Sequence, residues 1–149
     1  MATVAPGIDQ LTLNITEEIL VRSSVENAFA ALLEQLGPAN EGHEGAPMPM
    51  TLEPWHGGRW FRDLGGKNGH LWGHVQAIKR PTLLEITGPL MISSAVVSNV
   101  QYRLKETDGG TLITLRHSAL GFMPDGYREG LSVGWKHGLD RIRRQSEKA

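Results

Sequence analysis

A chain of 149 residues lies in the single-domain range, and 40% hydrophobic with 21% charged residues is the composition of a packed globular fold rather than a fibrous or disordered one. A formal net charge of −1 removes the electrostatic argument for nucleic acid or an anionic membrane as partner, and no apolar run approaches the roughly 20 residues of a membrane span. The absence of cysteine rules out disulfides, thiolate metal sites and a cysteine nucleophile, and an N-terminus without a basic segment followed by an apolar run points to a cytoplasmic protein.

Met1 to Gln10 carry Pro6-Gly7 and no periodicity, so residues 1–10 read as a flexible lead-in to a single domain over residues 11–146. Leu11, Leu13 and Ile15 then alternate with Thr12, Asn14 and Thr16, which predicts a strand to Arg22. Ser23 or Ser24 is a fitting N-cap for Val25, Phe29, Leu32, Leu33 and Leu36 at helical spacing, and Gly37-Pro38 stops that helical stretch, whether one helix or two short ones. Ala39 to Met50 is irregular; with Met48 and Met50 between prolines it reads as a lid or as plain disorder. Six further strands follow, at Thr51 to Pro54, Gly58 to Leu64, His70 to Lys79, Thr82 to Thr87, Ser94 to Glu106 and Thr111 to Leu120. Their short glycine-rich links join antiparallel neighbours. After Pro124-Asp125, the stripe Leu131, Trp135, Gly138 and Ile142 predicts a helix from Tyr127 to Gln145, close to 30 Å long at about 1.5 Å per residue.

Four stretches carry a family likeness: Val25-Glu-Asn-Ala-Phe29, Glu53-Pro-Trp-His-Gly-Gly-Arg-Trp60, Gly73-His-Val75 with Pro81 beyond, and Thr107-Asp-Gly-Gly-Thr-Leu-Ile-Thr-Leu-Arg-His117, joined by Gly134-Trp135 in the last helix. With the order of elements, they make the chain resemble the START-like SRPBCC superfamily, in the branch similar to the C-terminal domain of the heat-shock-protein ATPase activator. The resemblance implies an α+β helix-grip fold, as in the birch-pollen allergen: a seven-stranded curved antiparallel sheet around a long C-terminal helix, with two short helices after strand 1 and a cavity between sheet and helix. This fold hosts lipid carriers, polyketide cyclases, aromatase-type enzymes and chaperone activators, so membership implies little chemistry. Chaperone activation in the family can involve an additional N-terminal domain, which this chain lacks in the reading of residues 11–146 as one domain.

Alternation assigns faces. Trp60 and Arg62 share one face of their strand; Leu71, Gly73 and Val75 point toward the helix, with His70, Trp72, His74 and Gln76 outward. On a strand the two histidines stand about 13 Å apart, too far to share a metal ion, so no metal or cofactor is expected. Gly73 leaves room for a ligand or lets the helix approach closely. Tyr102 lies on the apolar face with Val100 and Leu104, and His117 on that of Ile113 and Leu115. The expected cavity lies beneath Gly134 to Ile142 and is walled by Trp60, Leu71, Val75, Tyr102, Leu115, His117, Leu131 and Trp135. His117, Tyr102 and Arg62 are the candidates for acid–base or oxyanion roles. For each the plain alternative is structural: a satisfied core histidine, a packed tyrosine and a rim arginine paired with an acid such as Glu53 or Asp63. Arg141, Arg143, Arg144 and Lys148 suit the negative end of a helix dipole.

Binding of a small apolar or aromatic molecule is the leading expectation. A chaperone-activating interaction module is the alternative, and a cyclase-like enzyme, in which replacing His117 by alanine would stop turnover and spare the fold, is the second. A chaperone partner and homodimerisation stay open.

Overall fold

The structure, a computed structural model, describes residues 7–149. Residues 1–6 of the expected flexible lead-in lie outside the described residues. Residues 8–11 form a single helical turn, α1 (Ile8–Leu11), that leads into β1 (Thr12–Val21). Then come α2 (Val25–Leu36), β2 (Thr51–Leu52), β3 (Arg59–Gly65), β4 (Asn68–Lys79), β5 (Leu83–Gly88), β6 (Val96–Thr107), β7 (Gly110–Gly121) and α3 (Tyr127–Lys148). The helical stretch after β1 runs unbroken as α2: the Ser24 hydroxyl accepts from the Asn27 amide at 3.1 Å, and Val25, Ala28, Phe29, Ala31, Leu32 and Leu36 turn inward.

The seven strands form one antiparallel sheet in the order β1-β7-β6-β5-β4-β3-β2. Hairpin links make β2 to β7 sequential, and β1 closes the other edge by pairing with β7 along its whole length. One inward row crosses five strands as Ile15, His117, Val100, Ile86 and Val75. Below it lie α2 and α3. On α3 the buried stripe is Leu131, Trp135, Leu139, Ile142 and Ser146, which puts Gly138 on its flank rather than in the stripe.

Two irregularities in β4 overturn part of the face assignment. Trp60 pairs with Gly73 but Phe61 pairs with Leu71, so Trp72 is an extra residue, a bulge that reverses the alternation. Trp72 therefore turns into the core, where its ring meets that of Trp60 edge-on at 4.9 Å. His70 follows it inward while His74 remains exposed, so the two histidines lie on opposite faces. Leu71, expected on the cavity wall, points out and is 45% exposed. A second shift, between Val75 and Ala77, restores the phase, and Ile78 pairs with buried Leu84. Gly73 serves a close approach of strands, not of the helix: a Cβ there would lie 2.7 Å from the Thr87 carbonyl oxygen on β5.

The segment from Ala39 to Met50 is no lid over the helix–sheet interior. The Met50 amide donates to the Gly37 carbonyl at 3.0 Å, the Met48 amide to Asn40 at 2.9 Å, and the Asn40 side chain returns a bond to the Met48 carbonyl at 3.0 Å. Met50 is buried. These bonds fasten the loop to the end of α2.

Candidate functional site

His117 sits at the centre of the core with both ring nitrogens engaged. The Trp135 indole N–H, which can only donate, reaches Nδ1 at 3.1 Å, so the neutral ring carries its proton on Nε2 and donates to the Ser98 hydroxyl at 3.0 Å. Burial pushes its pKa down to about 4, so at neutral pH the ring is an uncharged brace between α3, β7 and β6. With its lone pair held by Trp135, it is not a free base. Because the folded pKa lies below the ordinary 6.5, the unfolded chain binds the extra proton first: His117's contribution is intact above pH 6.5 and is lost as pH falls toward 4, by about 3 kcal/mol in all. Urea unfolding at pH 7 and pH 4 should show that loss in the native chain and a smaller one in His117→Gln; equal losses would disprove it.

The volume beneath α3 is filled. Trp60, Val75, Tyr102, Leu115, His117, Leu131 and Trp135 all face inward and none exceeds 8% exposure, whereas walls of a cavity of several hundred Å³ would retain accessible surface. The expected cavity beneath Gly134 to Ile142 is thus replaced by packed rings, with the Trp60 indole donating to the Leu36 carbonyl at 2.8 Å and the His117 and Trp135 rings edge-on at 5.5 Å. Arg62 pairs across from His70 at the free end of the β3–β4 hairpin, exposed and away from the core. Glu53 pairs instead with Arg59, through two side-chain bonds of 2.8 Å, and these hold its carboxyl down to about 2.

At one end of the sheet the β5–β6 connection folds back over the core. Leu90 is fully buried in a left-handed conformation, φ 62°, that leucine rarely adopts, and its amide donates to the Trp72 carbonyl at 2.8 Å. Beside it the Trp72 indole donates to His70 Nδ1 at 3.1 Å, repeating the tryptophan-to-histidine bond of the core. The Tyr127 hydroxyl meets Met91 Sδ at 3.4 Å and ties the start of α3 to this connection.

The two flanks of α3 differ. One is closed against β1: Arg128 donates to the carbonyls of Gln10 and Thr12, the Ser132 hydroxyl to Glu17, and Lys136 approaches Glu17 at 4.0 Å. The other carries Gly130, Gly134 and Gly138, one turn apart. A Cβ at Gly130 or Gly134 would meet no atom within 4 Å, and one at Gly138 would meet only Arg141 Nη2, at 3.9 Å. These glycines therefore do not serve close packing. Gly130 and Gly134 are exposed and Gly138 half-buried, so this flank faces water; Tyr127 on Met91 lies toward its start, and toward its end Gln35 donates to Gln145 at 2.7 Å and accepts from Arg141 Nε at 3.3 Å. From Tyr127 to Arg141 it extends about 21 Å at 1.5 Å per residue.

Tyr102 is 3% exposed, with a hydroxyl bonded to no group among the described residues. Every fully enclosed side-chain polar atom among the described residues has a partner, so the Tyr102 oxygen borders open space. Burial raises its pKa well above the ordinary tyrosine value, against a smaller opposing pull from Arg141, and the group stays protonated. The glycine repeat was visible in the sequence, where Gly138 was counted into the apolar stripe; Arg141 was read only as a dipole partner.

A curved antiparallel sheet gripping one long C-terminal helix defines a START-like SRPBCC protein. The chain belongs to the family of activator of Hsp90 ATPase homolog 1-like proteins, whose family model matches residues 23–147. Among solved structures it is similar to an uncharacterised protein of Rhizobium leguminosarum, at 17% identity over 93% of this chain and 96% of that one, with TM-score 0.70. It is similar also to the di-domain ARO/CYC StfQ from the steffimycin biosynthetic pathway, at 12% identity and TM-score 0.68 over 95% of this chain and 53% of that one, so it spans about half of that protein. A third similar structure is Ara h 8.0201, at 14% identity and TM-score 0.67 over 93% of this chain and 99% of that one. No curated protein matches the chain. At these identities the likeness shows the fold. Among the described residues no helix is long and apolar enough to cross a membrane.

Proposed function

We propose that the protein binds a small apolar or aromatic molecule in the slot between the glycine flank of α3 and the sheet. The observation that carries this reading is the row Gly130, Gly134 and Gly138 with open space at each position. Glycine in a helix interior costs up to about 1 kcal/mol relative to alanine, so three in one row retain a cost that packing does not explain. Space kept clear beside a buried core suits a flat apolar guest, and the fold family is one used for small hydrophobic ligands.

Gly134→Leu tests the slot. The leucine enters free space and improves helix propensity, so unfolding should show unchanged stability or a gain of up to about 1 kcal/mol. Displacement of a naphthalene-based fluorescent probe should show binding weakened at least tenfold. Undiminished binding in a stable Gly134→Leu protein would rule the slot out.

The family match favours a second reading, a module that acts on a chaperone ATPase through its surface. It is tested by the chaperone's ATPase rate with and without this protein. The cyclase-like reading ranks behind both, because His117 is engaged on both nitrogens and Arg62 lies away from it.

A further inference from the structure

The β5–β6 connection, Pro89 to Ala95, is fastened near both ends, and between them it meets His70. Near its start the Leu90 amide donates to the Trp72 carbonyl at 2.8 Å, and at its close the Phe122 amide donates to the Ala95 carbonyl at 2.9 Å. Leu90 is fully buried with φ 62°, a conformation that leucine does not hold by its own preference, so its surroundings must hold it. Half-buried His70 joins two of the holding residues: the Trp72 indole reaches its Nδ1 at 3.1 Å, and the Ser93 hydroxyl stands 3.5 Å from its Nε2. An indole N–H only donates, so Nδ1 carries a lone pair and the proton of the neutral ring sits on Nε2, toward Ser93. A second proton can enter only at Nδ1, the atom that Trp72 occupies. It would set two N–H groups against each other beside a tryptophan that is 7% exposed.

We propose that His70 is an acid-operated latch: the neutral ring holds the β5–β6 connection closed over this end of the core, and a proton on Nδ1 releases it. Loss of the Nδ1 acceptor frees the Trp72 indole, and with it the bulge whose carbonyl holds Leu90. Among the described residues no carboxylate is bonded to the ring to compensate. On β3 the residue across from His70 is Arg62, a like charge, while Asp63 is paired with Gly69 and accepts from the Gly65 amide at 2.9 Å. Lys67 in the hairpin turn is a second cation, and His74 on β4 lies on the opposite face. β2 has no titratable side chain, and Glu53 beyond it is taken by Arg59. The connection itself contains none from Gly88 to Ala95. On α3, Tyr127 touches the connection through Met91 and is pushed up to about 12 by burial, and Asp125 and Glu129 near it are exposed. Acid therefore weakens the closed arrangement, and a return to neutral pH restores it.

NMR of the native chain, taken from about pH 7.5 to about pH 5.5, follows the imidazole nitrogens of His70 and the Leu90 amide across the span in which histidines ordinarily change charge. His117, pushed down to about 4, stays neutral over that span and keeps α3 fastened to the sheet. As His70 takes its proton, the exchange protection of the Leu90 amide should fall about tenfold, and the Trp72 indole resonance should move with it. His70→Gln keeps an acceptor for Trp72 and takes no proton, so its Leu90 protection should stay constant over the same span. If that variant does not fold, the ring and amide titrations of the native chain still decide. Leu90 protection that holds while His70 is charged, a fall that persists in His70→Gln, or a ring that stays neutral down to about pH 5.5 would each overturn the latch.

Discussion

Replacement of His117 by alanine is expected to destabilise the protein by about 3–5 kcal/mol, as a cavity in a filled core adds to the loss of buried hydrogen bonds. The imidazole is fully buried, stands edge-on to Trp135 at 5.5 Å, and connects two polar side chains that have no other hydrogen bond among the described residues. Alanine would orphan the indole N–H in a region where water does not reach, and leave Ser98, 1% exposed, without its ring partner. His117→Gln should recover part of the loss, because a carboxamide carries both the acceptor that Trp135 needs and a donor for Ser98. Equilibrium urea unfolding at pH 7 measures both variants. A cost below about 1 kcal/mol for alanine would show that the brace is not structural. The sequence reading anticipated an alanine variant with an intact fold and lost turnover; a ring tied to two strands and the long helix leads to the opposite expectation.

That reversal illustrates which features were legible in the sequence. Strand alternation and glycine punctuation located all seven strands to within a few residues, since burial on one face of an antiparallel sheet imposes period two. The inward rows around His117 and Tyr102 follow from the same rule. The bulge at Trp72 does not: an extra residue in one strand is fixed by pairing with β3, and nothing local in His70-Leu71-Trp72-Gly73 signals that the faces exchange there. Leu71 was misplaced for that reason, and Trp72 was missed. On α3 the difficulty is angular. Gly138 and Leu139 are adjacent in sequence and both compatible with an apolar stripe, and only the position of β1 on one side and α2 on the other decides which faces the core and which stays on the flank. Arg141 illustrates the same limit, since its partners are Gln35 and Glu41, distant in sequence.

Trp60→Ala should cost about 3–5 kcal/mol, and the effect should extend to the end of α2. The indole fills the space between α2 and β3, packs edge-on against Trp72 at 4.9 Å, and donates to the Leu36 carbonyl at 2.8 Å. That carbonyl is one of the last in α2, where no helical amide remains to satisfy it, so the tryptophan acts as a side-chain cap delivered from the sheet. Trp60→Phe retains most of the apolar area but leaves the carbonyl unpaired, and should cost about 1–3 kcal/mol from that source. Gln35, the residue before Leu36, holds both Arg141 and Gln145. A loosened α2 terminus would therefore release Arg141 and Gln145 on α3. Equilibrium urea unfolding of the two variants separates the effects: alanine should lower stability by the full amount, and phenylalanine by the smaller amount due to the Leu36 carbonyl. A cost below about 1 kcal/mol for Trp60→Phe would mean that the Leu36 carbonyl finds another donor once the indole is gone.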